Sequence, residues 1–149
     1  MSSVSAGWDR TCALATSESV YCWGSNWAGQ LGTGNQDYAA TPLRALLPEP
    51  ARSVALGGAF TCALAISGQV YCWGGNDFGE LGRGTAGGFG GHIPATIAGG
   101  HIYQKITSGY YHSCGLRLSG EIDCWGLNSQ GQLGNGDIHA GPGPHQVQF

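Results

Sequence analysis

The stretch Thr11-Cys12-Ala13-Leu14, followed by Val20-Tyr21-Cys22-Trp23-Gly24 and by Gly29-Gln30-Leu31-Gly32, decides the fold because it occurs three times. The second copy reads Thr61-Cys62-Ala63-Leu64, Val70-Tyr71-Cys72-Trp73-Gly74 and Gly79-Glu80-Leu81-Gly82. The third reads Ser113-Cys114-Gly115-Leu116, Ile122-Asp123-Cys124-Trp125-Gly126 and Gly131-Gln132-Leu133-Gly134. An asparagine follows each Trp-Gly pair, at Asn26, Asn76 and Asn128, and the copies fill nearly all of the 149 residues. Internal self-similarity at roughly 50 residues is the mark of a solenoid or propeller array.

Each unit opens with a predicted β-hairpin. Two short runs rich in β-branched and aromatic residues flank a turn such as Ser17-Glu18, Ser67-Gly68 or Ser119-Gly120. Strand alternation puts Cys12, Leu14, Val20 and Cys22 on one face, with Ala13, Ala15, Tyr21 and Trp23 on the other. Both faces are largely apolar, which suits a sheet sandwiched between two others. A glycine-rich return and a looser, proline-bearing strand follow (Pro42 to Leu46, Pro94 to Ile97, Pro144 to Phe149). A further strand leads into the next unit, as in Arg52 to Leu56 and Tyr103 to Thr107. Four strands per unit predict an all-β chain of three four-stranded β-propeller blades. The units lie at about 5–50, 51–101 and 102–149 of a single repeat domain spanning 1–149.

Composition narrows the function classes. Charged residues are 10% of the chain and hydrophobic ones 42%, which argues for a packed domain rather than disorder. A net charge of -3, with the six basic residues spread along the chain, excludes an electrostatic nucleic-acid footprint. No apolar run is long enough for membrane insertion as a helix. The first residues lack the basic and apolar regions of a secretory leader, so the expectation is a removed leader or a piece of a longer chain.

The cysteines fall as Cys12/Cys22, Cys62/Cys72 and Cys114/Cys124, each pair straddling a hairpin turn. Opposed positions on antiparallel strands lie about 4.5–5.5 Å apart at Cα, within disulfide reach. Disulfides are the leading reading, against reduced core thiols and against zinc, whose usual ligand spacing is not repeated here. They place the chain in an extracellular or periplasmic compartment.

No catalytic set is assignable. The five histidines do not recur at one repeat position, the serines sit in turns, and the acidic residues form no recognisable pair. The glycine-rich returns open no helix and carry no Walker lysine, so they do not read as phosphate cradles. No metal or cofactor is implied, and the chain is read as a non-enzyme. The recurring asparagines read as turn-satisfying side chains, and the recurring Trp23, Trp73 and Trp125 as packing between blades. Aromatics that do not recur are the candidates for ligand contact: Trp8, Tyr110 and Tyr111 before a hairpin strand, with Trp27, Tyr38, Phe78 and Phe89 in returns and loops.

These repeated residues resemble the regulator-of-chromosome-condensation repeat family. The resemblance rests on the Cys-Ala-Leu and Val-Tyr-Cys-Trp-Gly strands, the asparagine after them and the Gly-Gln-Leu-Gly return. It implies a radial propeller, usually of about seven blades, and an interaction platform; known roles include nucleotide exchange on a small GTPase and inhibition of β-lactamases. The cysteine pairs resemble secreted bacterial members, so GTPase exchange and chromatin binding are not carried over. Three blades leave two open end faces, which predicts a closed homo-oligomer: a six-bladed homodimer, with a nine-bladed trimer as the alternative. The N-terminal strand of one copy is expected to complete the C-terminal strand of another. The leading functional expectation is a non-catalytic, self-assembling module with a protein ligand. Its rivals are a purely structural or engineered building block and a carbohydrate-binding propeller.

Overall fold

The computed structural model describes residues 1–149 and contains twelve strands and no helix. The first sheet holds β1 (Ser3–Ala6), β2 (Arg10–Leu14), β3 (Val20–Gly24) and β4 (Ala39–Arg44). The second holds β5 (Ala51–Leu56), β6 (Phe60–Ala65), β7 (Val70–Gly74) and β8 (Ala95–Thr96). The third holds β9 (Tyr103–Ser108), β10 (His112–Arg117), β11 (Ile122–Gly126) and β12 (Gly141–Gln146). Each sheet is an antiparallel meander drawn from one continuous stretch of chain. The N-terminal strand therefore pairs within its own blade, and the expected strand exchange between copies is not needed. What remains open at each end of the array is a sheet face.

The hairpin register places the cysteines opposite one another: Cys12 pairs with Cys22, Cys62 with Cys72 and Cys114 with Cys124. Their sulfurs lie 2.11, 2.12 and 2.04 Å apart, so each blade is cross-linked between its two middle strands. The buried Asn26, Asn76 and Asn128 hold the returns. Each accepts through Oδ1 from the backbone N–H of Leu31, Leu81 or Leu133, at 2.9, 3.1 and 2.9 Å. Each also donates through Nδ2 to a carbonyl farther along the loop. Outer strand β8 shrinks to two residues, where β4 and β12 have six. The chain before it is glycine-rich and leads into Pro94, which has no N–H for a ladder. An isolated Gly75–Phe89 bridge is all that remains of its first part.

The two apolar faces of a blade are not equivalent, and unlike faces meet. Cys12, Leu14, Val20 and Cys22 of the first blade pack against Ala63, Ala65, Tyr71 and Trp73 of the second. Cys62, Leu64, Val70 and Cys72 of the second blade then pack against Tyr103 and Trp125 of the third. A fully buried residue of this size stabilises by roughly 1.5–3 kcal/mol, so the core lies between blades. One indole hydrogen bond recurs at both junctions. Trp73 Nε1 donates to the Gln30 carbonyl and Trp125 Nε1 to the Glu80 carbonyl, both at 2.9 Å. Gly32 and Gly82 admit these indoles, since a Cβ there would lie within 3 Å of the ring. Arg10 strengthens the first junction, donating to the Gly57, Gly58 and Phe60 carbonyls and to Thr61 Oγ1. Burial pulls its pKa down to about 10 against the opposing pull of Asp9, so it is a cation at neutral pH.

Candidate functional site

The two end faces repeat the surfaces that pair inside the array. At one end Trp23 is only partly buried, whereas Trp73 and Trp125 are 0% exposed. No carbonyl of a preceding blade receives its indole N–H. At the other end Cys114, Leu116 and Ile122 are partly exposed, although their counterparts in the first two blades are buried. Together with Ile106 they line a shallow apolar hollow of about 270 Å³. The Gln132 carbonyl there holds the place of the Gln30 and Glu80 carbonyls and carries no indole. One end thus leaves a junction tryptophan partly uncovered, and the other leaves uncovered a surface of the kind on which the blade-junction tryptophans pack.

A second feature lies on the rim formed by the loops between strands. Trp8, Gly58 and Tyr110 occupy one repeat position, two residues before strands β2, β6 and β10. Because the middle blade has glycine, the flanking aromatics meet across it, with Trp8 and Tyr110 ring centroids 6.0 Å apart. Tyr110 stands edge-on to Tyr111 at 4.4 Å, and Tyr111 is edge-on to Phe78 at 5.1 Å. Trp27 joins this group around a cavity of about 70 Å³ above Gly58 and Ala59. Five of the seven aromatics picked from the sequence are thus drawn into one region. Tyr38 and Phe89 are not; they stand exposed elsewhere, Tyr38 just before β4 and Phe89 at the Gly75 bridge.

Sequence reasoning missed the acidic side of this notch. Asp9, Asp77 and Glu80 line the same cavity. Glu80 is 3% exposed, and its Oε2 accepts from the Phe78 backbone N–H at 2.8 Å. Burial raises its carboxyl pKa, opposed by backbone hydrogen bonds and reinforced by the charge of Asp77. The signal was present in the repeat: Gln30 and Gln132 fill this position in the other blades and make the same backbone bond. Only the middle copy replaces the amide by a carboxylate.

Known proteins share both pattern and shape. The regulator of chromosome condensation (RCC1) repeat matches residues 1–30, 51–80 and 103–132, and a second description of that repeat matches 17–64 and 67–116. The ultraviolet-B receptor UVR8 of Arabidopsis thaliana is 32% identical over 156 residues, spanning 97% of this chain and 34% of the receptor. Yeast RCC1 (Prp20), solved bound to Kap60, superposes with a TM-score of 0.89 at 20% identity, over 99% of this chain and 37% of that one. The CRINKLY WD40 ectodomain of the Arabidopsis thaliana receptor kinase ACR4 gives 0.56 at 27% identity, over 83% and 38%. The chain spans about a third of the length of these relatives.

Proposed function

Since the chain belongs to the RCC1 repeat family, we propose that it is a non-catalytic protein-interaction module whose end faces each take another blade of the same kind. A second copy supplies that blade, and two copies close head to tail as a six-bladed ring. The observation that carries this reading is the complementarity of the ends. Trp23 has the indole that Trp73 and Trp125 use, and the hollow at Cys114, Leu116 and Ile122 repeats the surface on which they pack. Closing both junctions would bury four further faces, two from each copy, of the type that forms the core. Exposed apolar patches of this kind mark interaction surfaces, and head-to-tail contacts close when the rotation allows. The cysteine pairs support a secreted setting, extracellular or periplasmic, where such bonds persist.

A mixing experiment tests the head-to-tail geometry. Leu116→Arg blocks the seat and Ala15→Arg blocks the tryptophan face, and both residues are already partly exposed. Each variant alone is monomeric by light scattering, because both junctions of its ring are damaged. Mixed together, they recover a dimer through the one junction formed by two intact faces. Failure of the mixture to dimerise, while the parent chain does, excludes head-to-tail docking.

A further inference from the structure

We propose that the rim notch between Trp8, Trp27 and Tyr110 binds a single basic side chain, lysine or arginine, presented by a protein partner. The proposal rests on the interaction-module reading but not on ring closure, because all its residues belong to one copy.

Size decides first. Small-molecule sites occupy roughly 300–1,000 Å³, whereas this cavity measures about 70 Å³. A notch of this size suits the head of one side chain better than a whole small molecule. Charge decides next. Three carboxylates line the cavity, and the nearest cation, Arg10, is already committed to four backbone and hydroxyl acceptors beneath it. Its contact with Asp9 is long, at 3.8 Å. Asp77 and Glu80 have no cationic partner in the chain. Glu80 lines the cavity with its carboxylate held by the Phe78 N–H and neighbouring backbone N–H groups alone, and no cation balances its charge. Its burial makes that unpaired charge costly and an incoming cation favourable.

The aromatic walls fit the same ligand. A cation over tryptophan or tyrosine faces is attracted by the ring quadrupole, more strongly when partly desolvated. Trp8 and Trp27 are 77% and 56% exposed, so no core packing accounts for them. The middle blade supplies glycine where both neighbours carry aromatics, and glutamate where both carry glutamine. These two departures from the repeat fall in one cavity, one making the space and the other the charge.

Titration of the isotope-labelled chain with acetylated, amidated Gly-Lys-Gly and Gly-Arg-Gly peptides tests this, followed through the five tryptophan indole N–H signals. The basic peptides shift the Trp8 and Trp27 signals saturably and leave those of the buried Trp73 and Trp125 in place. The norleucine peptide, with the same apolar stem and no charge, binds about tenfold more weakly. Glu80→Gln installs the residue of the flanking blades. It weakens the lysine peptide about tenfold or more and leaves norleucine binding unchanged; lysine binding that is equally tight to Glu80→Gln counts against the proposal. Equal binding of norleucine and lysine, or an unmoved Trp8 and Trp27, overturns the proposal. Either result leaves the blade-docking reading untouched, since that reading is measured by mass.

Discussion

Replacing Gly115 by alanine should destabilise the chain, although the other two blades carry alanine there, at Ala13 and Ala63. The third blade has rearranged its packing. Where the second blade has Ala51 on its first strand and Tyr71 on its third, the third blade has Tyr103 on its first and Asp123 on its third. The ring thus enters from the opposite strand. It crosses Gly115, where a Cβ would lie 2.6 Å from Tyr103 Cδ1 and 2.8 Å from Cε1. Tyr103 cannot yield easily: it is 1% exposed, and its hydroxyl donates to Asp123 Oδ2 at 2.7 Å. That carboxylate is in turn held by two 2.6 Å bonds from Arg117. Overpacking of this kind costs about 1–3 kcal/mol. Against it stands the stiffer unfolded chain of alanine, which favours the variant by about 0.4–1 kcal/mol. The net expectation is a loss of about 1–2 kcal/mol, read as a lower urea midpoint at constant m, or as a Tm drop of about 2–4 °C per kcal/mol. In a Tyr103→Ala background the same substitution should become neutral or stabilising, with a coupling energy of at least about 1 kcal/mol between the two sites. A Gly115→Ala variant more stable than the parent would refute the reasoning.

Trp125→Phe should cost more stability than Trp73→Phe in parallel urea titrations. Glu80's carbonyl loses its only side-chain donor, whereas Gln30's carbonyl keeps Thr61 Oγ1 at 2.7 Å. The difference should be about 1 kcal/mol, the price of one orphaned acceptor. Asp123→Asn leaves Arg117 without its bidentate partner and should lower stability by about 2–4 kcal/mol; an unchanged midpoint would show the pair to be dispensable. Limited reduction followed by alkylation and mass spectrometry should open Cys114–Cys124 first in the monomeric Leu116→Arg variant, because Cys114 alone of the six is partly exposed. Removing that bridge by paired serine substitutions should cost about 2–3 kcal/mol for a loop of this length.

Much of this architecture was legible in the residues. Cys12 and Cys22 straddle a turn of fixed length, so pattern alone places them opposite one another, and the recurring Trp-Gly marks the blade junction. The pairing of unlike faces was not legible, because both are apolar and alternation says nothing of which neighbour each meets. The acceptors of Trp73 and Trp125 are backbone carbonyls, which no side-chain pattern reveals. The exchange at Tyr103, Gly115 and Asp123 shows in the sequence only as three separate departures from the repeat. Their meaning needs the register that sets them side by side. The rim notch follows the same logic: Trp8 and Tyr110 lie about a hundred residues apart and meet only because blades stack radially and Gly58 leaves the gap between them.

The central claim is that the end faces are seats for another blade, and mass in solution tests it most directly. Light scattering on the oxidised chain at micromolar concentration should give twice the chain mass of 15.4 kDa, falling to the single-chain value for Leu116→Arg. A parent chain that stays at 15.4 kDa across a hundredfold range of concentration, with all three bridges intact, would contradict it.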